Sequence, residues 1–192
     1  MPTVAFILLL GNITKLSVQS LKDFFEDFKK AEKHGIPKFD VLVNEGNLYF
    51  EMGKFKDAQK NFEDAIKLKP TDSRGINNLA LCYRKDGKNV EAIELFTRNI
   101  KANPIDGDSY HWRGLAYLDL QPKEIQKAIE DFLQAGNLRF LNKDKVEDYL
   151  IASELFYSTK NFEKALPLCD LAVRLNPSNS LSHLLKAKIL LE

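Results

Sequence analysis

Three histidines and two cysteines are the side chains of this chain best suited to metal or nucleophile chemistry, and none has a useful neighbour. His34, His111 and His183 are far apart, and no His or Cys pair stands at metal-ligand spacing. There is no G-x-x-x-x-G-K-[ST] or G-x-G-x-x-G phosphate loop, and no Ser or Cys sits in a nucleophile motif. Carboxylates are common, but Asp57 with Lys60 and Asn61, or Glu91 with Glu94, read as solvated helix faces. The expectation is therefore a chain that is no enzyme, with no catalytic residue, metal or cofactor. Cys82 and Cys169 fall at inward positions and read as free thiols used as small apolar filler. That usage suits a reducing compartment and a cytoplasmic location.

What the chain does carry is a cadence. Tyr49, Tyr83 and Tyr117 stand 34 residues apart, and their surroundings repeat with them. Gly46, Tyr49, Gly53, Phe55, Ala58, Phe62, Ala65 and Pro70 recur as Ala80, Tyr83, Gly87, Asn89, Ala92, Phe96, Asn99 and Pro104. A third copy reads Gly114, Tyr117, Ala128, Phe132, Ala135 and Phe140, its second half displaced by two residues. A fourth reads Ser153, Phe156, Lys160, Phe162, Ala165, Cys169, Ala172 and Pro177. Apolar residues three and four apart predict two helices per copy. Small residues at 46/80/114/153 and 58/92/128/165 let the paired helices approach, and the aromatics fill the space above them. Gly53 and Gly87 suit turns that need positive φ, and Pro70, Pro104 and Pro177 end the second helices.

These residues resemble the tetratricopeptide repeat family over roughly 39–179. The resemblance implies an all-α fold, a right-handed α-solenoid of antiparallel helix pairs. The expected division is an apolar N-terminal segment at 1–15, a helix as a worn half repeat at 16–38, and repeats at 39–72, 73–106, 107–145 and 146–179. Residues 180–192 are the start of a fifth repeat or a cap. Ser17 or Ser20 would cap the first helix. Residues 121–124 should form a longer turn, and 142–145 an extended polar connection. Gly136, inside the second helix of the third copy, should make that unit the softest.

The resemblance further implies that first helices line a concave face that binds protein or peptide ligands. Carried over position by position, the groove residues are Asn44, Asn47 and Phe50, with Val43 and Glu51 beside them. Next come Arg74, Asn77, Asn78, Arg84 and Lys85, with Leu81. His111 and Trp112 follow, with Asp108, Leu115 and Asp119. Tyr157 closes the set, with Glu147, Leu150, Ile151 and Glu154. Asn amides can hold both N–H and C=O of an extended backbone. Arg74, Arg84 and Lys85 form a positive strip suited to a carboxylate. Trp112, the only tryptophan, is the preferred anchor. In chaperone-binding members, two Asn, two Lys and an Arg hold a C-terminal carboxylate. Asn47 and Asn78 match the two Asn, but Val43, Asp108 and Trp112 stand where the positive charges belong. The clamp is incomplete and is not expected to work.

Bulk charge names no polyanionic partner: 28 Lys and Arg face 27 Asp and Glu, a net of +1. The acids among the groove residues make it mixed rather than basic, so no nucleic acid is expected. Val4 to Leu10 is an uninterrupted apolar run, too short to span a bilayer. No membrane partner is expected from so short a run, and it does not read as a secretory signal, since no Lys or Arg precedes it and no A-x-A-like site follows. It should pack on the first repeat, or be a remnant of a longer parent. Asn12-Ile13-Thr14 is a glycosylation sequon with meaning only if the chain is secreted. The leading expectation is an adaptor or scaffold that binds a peptide or helix in the concave groove. The alternative is an assembly protein that self-associates through the apolar end at 181–191.

Overall fold

The structure, a computed structural model, describes residues 18–192. The apolar run at 4–10, the sequon and Ser17 lie outside the described residues. The chain divides into two compact units, the first ending at Lys88 and the second beginning at Asn89. The first unit holds α1 (Val18–Lys33), α2 (Lys38–Glu51), α3 (Phe55–Leu68) and α4 (Ser73–Lys85). The second holds α5 (Asn89–Ala102), α6 (Gly107–Asp119), α7 (Ile125–Leu138), α8 (Asn142–Ser158), α9 (Phe162–Leu175) and α10 (Ser180–Leu190). Among the described residues there is no strand.

The small residues of the cadence do the work expected of them. Ala58, Ala92, Ala128 and Ala165 are all fully buried. A Cβ on Gly46 would come within 2.5 Å of the Phe62 ring, and one on Gly114 within 3.1 Å of the Phe132 ring. Ser153 takes the same place in α8 and satisfies its hydroxyl by donating to the Ala165 carbonyl of α9 at 2.8 Å. Phe62, Phe96 and Phe132 are 0% exposed, each worth about 1.5–3 kcal/mol of burial. Cys169 fills the fourth such place.

Each first helix closes on the carbonyl of its repeat aromatic. Lys54 N–H donates to Tyr49, Lys88 N–H to Tyr83 and Asn161 N–H to Phe156, at 2.8–2.9 Å. Gly53 and Gly87 hold φ of 71° and 76° there, and Lys160 holds 59°. In the third copy the added residues push the closing donor to Glu124, whose N–H reaches Tyr117 at 3.2 Å.

One expectation is corrected and another refined. Residues 142–145 are not a connection but the first turn of α8, with the Asp144 and Lys145 N–H groups both donating to the Leu141 carbonyl. A polar, exposed first turn with an acid complementing the helix dipole looks like a linker in sequence. Gly136, expected only to weaken its helix, has a packing role. A Cβ there would sit 2.7 Å from the Tyr149 ring, so glycine is what lets α8 approach α7.

Candidate partner-binding site

In the first unit, α2 and α4 bring five expected residues to one place. Asn47, Phe50 and Asn78, with Glu51, Phe62 and Leu81, line a pocket of about 220 Å³. Asn78 Nδ2 donates to Asn47 Oδ1 at 2.8 Å. That bond fixes both amides and leaves the Asn47 N–H donors and the Asn78 carbonyl as a donor–acceptor pair. Phe50 is held edge-on against Phe55 at 5.3 Å.

The remaining expected residues of this unit do not join the pocket. Val43 is 4% exposed and packs with Phe39 and Ala65, so its place in the groove is corrected to the core. Asn77 is buried, Asn44 and Arg84 are half-buried, and Lys85 is exposed. Arg74 is already engaged: its guanidinium donates to Asp40 at 2.8 Å and Asp72 at 3.0 Å and lies over the Phe39 ring. The positive strip therefore loses its first member as a carboxylate receptor. Burial alone would raise the Asp72 carboxyl, but hydrogen bonds from the Arg74 side chain and backbone outweigh it and hold the pKa below the usual range. Asp72 is also the N-cap of α4, accepting from Arg74 N–H.

In the second unit His111 is corrected from groove to interior. It is 4% exposed, and its Nδ1 meets the fully buried Asp148 at 2.6 Å. Asp148 also accepts from Arg139 Nη1 at 3.1 Å, and Arg139 reaches on to Asp108 at 2.8 Å. Asp108 is thereby an ion-pair partner rather than a bare groove acid. A second tie, bidentate at 2.7 and 2.8 Å, joins Arg113 of α6 to Asp131 of α7, while Arg113 also donates to Thr97 of α5. Trp112 is half-buried with its ring edge-on to His111. Tyr157 is half-buried against Phe162 and donates to Glu192 at 3.3 Å.

The second unit also opens a groove of about 470 Å³ between α8 and α10. Glu147, Leu150, Ile151 and Glu154, all expected groove residues, form one wall, joined by Lys143 from the turn misread as a connection. Leu181, Leu184, Leu185 and Lys188 form the other. That second wall lies in the apolar end at 181–191, expected only as a self-association surface, and the spacing of Leu181, Leu184 and Leu185 was its signal. Among the described residues no cluster of His, Cys, Asp and Glu could hold a metal ion, and no helix is long and apolar enough to cross a membrane.

Stacked helix pairs with small-residue crossings and open first-helix faces define an α-helical repeat protein. A family profile described as tetratricopeptide repeat matches residues 43–106. A TPR repeat-containing protein of Methanocaldococcus jannaschii is 33% identical over 90 residues, covering 38% of this chain and 16% of that protein. The Hsp70-Hsp90 organizing protein of Triticum aestivum is 30% identical over 111 residues, covering 58% of this chain and 19% of that protein. A crystal structure of a thermophilic TPR protein of Thermus thermophilus superposes with a TM-score of 0.64 at 21% identity, covering 95% of this chain and all of that one. Over residues 43–106 the chain matches the tetratricopeptide repeat family, and its fold as a whole is that of TPR solenoids. It spans less than a fifth of the two curated relatives. Fold and relatives together support a protein-interaction scaffold.

Proposed function

We propose that this chain is a non-catalytic adaptor that holds an extended peptide on the α2–α4 pocket. The observation that carries the reading is the Asn78–Asn47 hydrogen bond at the pocket wall. An extended peptide presents one N–H and one C=O per residue, and both must find partners when water leaves. The fixed Asn pair offers a donor and an acceptor side by side, while Phe50 and Leu81 offer an apolar seat. A carboxylate clamp is disfavoured, because Arg74 is engaged by two acids and Val43 belongs to the core. A net charge of +1 favours a protein over a nucleic-acid partner, and two buried free thiols fit a reducing, cytoplasmic setting.

Affinity purification from the source cells tests this with wild type and an Asn47→Ala/Asn78→Ala variant. The expected result is loss of the main captured partner by about tenfold, since each stranded peptide polar group costs about 1–3 kcal/mol. Retention of the same partners at equal yield would sink the reading.

A further inference from the structure

We propose that the groove between α8 and α10 receives one amphipathic helix from a partner protein, apolar on its buried face and basic along one flank. The two walls run parallel. Tyr157, near the end of α8, reaches Glu192, just past α10, and Lys143 and Leu181 stand at the opposite end. On α8 the lining positions 143, 147, 150, 151 and 154 follow the spacing of one helical face. On α10 the positions 181, 184, 185 and 188 do the same. Two parallel helix faces, apolar at 150, 151, 181, 184 and 185 and charged at their edges, leave a trough that a third helix fills side chain into gap.

The chemistry of the lining selects a helix over an extended strand. The floor is Val146, Leu150, Ile151, Leu181, Leu184 and Leu185, none with a polar side chain. The single amide is Asn179, and it is spent capping α10, accepting from Ser182 N–H at 3.0 Å and the Ser182 hydroxyl at 3.1 Å. An extended peptide laid here would strand its backbone N–H and C=O groups in an apolar trough. A helix satisfies those groups internally and presents only side chains. This is the opposite of the α2–α4 pocket, whose two free amide faces suit an extended backbone.

Charge fixes the flank. Glu147 and Glu154 are exposed and seven residues apart, two turns and about 10.5 Å along the α8 wall. Among the described residues neither side chain has an ion-pair or hydrogen-bond partner. Lys186 of α10 is already paired with Asp170 at 2.7 Å, and Lys143 stands four residues before Glu147 at the end of the α8 wall. The α10 wall carries Lys188 instead. A partner helix with basic residues seven apart toward α8, and an acid toward Lys188, completes both walls.

The test uses the full chain and a stapled helical peptide with leucines three and four apart and two lysines seven apart beside them. Binding is read by fluorescence anisotropy at low salt. The lysine peptide is expected to bind about tenfold more tightly than its glutamate counterpart. Glu147→Lys/Glu154→Lys should reverse that preference, and Leu184→Asp should weaken binding by tenfold or more. Leu184 is 54% exposed, so that variant keeps its fold, checked by an unchanged thermal melt. Asn47→Ala/Asn78→Ala should leave this binding unchanged, which separates it from the peptide reading of the first unit. Equal binding of a proline-broken peptide, or no binding at all, would overturn the proposal. So would a concentration-dependent dimer in light scattering that Leu184→Asp converts to monomer, since the occupant would then be a second copy of this chain.

Discussion

Lys160 occupies the left-handed turn position that Gly53 and Gly87 fill in the first two copies, at φ 59° against 71° and 76°. A side chain with a Cβ pays roughly 1–2 kcal/mol there, which glycine avoids at the cost of some unfolded-state entropy. The turn is retained because Asn161 N–H and Lys160 N–H still close on the carbonyls of Phe156 and Tyr157. Lys160 is exposed and forms no part of either candidate site. Lys160→Gly should therefore raise stability by about 0.5–1 kcal/mol, read as a higher denaturant midpoint at constant slope. Gly87→Ala should lose about 1 kcal/mol in the same assay. A Lys160→Gly midpoint at or below wild type would show that the turn is unstrained. The cysteines show residue chemistry of another kind: burial, with Asp86 nearby, pushes the Cys82 thiol up to about 12, and burial raises Cys169 as well. Both stay protonated at neutral pH and behave as packing atoms.

Pairs of helices owe their spacing to what stands at the crossing. Propensity alone would favour Gly136→Ala in α7 by about 1 kcal/mol. The crossing decides otherwise, because the new Cβ would meet the Tyr149 ring of α8 at 2.7 Å. Tyr149 is 7% exposed and its hydroxyl donates to Asn137 at 2.9 Å, so the ring cannot swing away without breaking that bond. Gly136→Ala is expected to destabilise by about 1–3 kcal/mol, the usual penalty of overpacking. Tyr149→Leu removes the obstructing ring, and in that background Gly136→Ala should cost less than about 0.5 kcal/mol. Additive losses across this double-mutant cycle would mean that the glycine serves α7 alone.

Much of the molecule is legible one repeat at a time, because the cadence is local: glycine or alanine at a crossing, phenylalanine above it, an aromatic carbonyl closing the turn. The polar pairs between copies are harder to read. Arg74 looks like a ligand for a carboxylate, yet Asp40 stands 34 residues earlier and equal positions of successive copies stack, so the pair was there to be seen. His111 and Asp148 are 37 apart, out of step with the repeat because the third copy is longer, and no fixed spacing points to them. These ties also set how stability is distributed. The second unit has the Asp131–Arg113–Thr97 and His111–Asp148–Arg139 bonds and a core running through Ile129, Phe156, Cys169 and Ile189. In a linear array, stability is a sum of unit terms and neighbour terms, so damage should decay with distance along the chain. Phe62→Ala removes a ring that is 0% exposed and should cost its own region about 3–5 kcal/mol. Hydrogen exchange should then accelerate in α2 to α4 by at least about a hundredfold, while the amides of α8 and α9 change by less than about threefold. Equal acceleration from α2 to α9 would show instead that the chain unfolds as one cooperative block, and the repeat-by-repeat account of its stability would have to be given up.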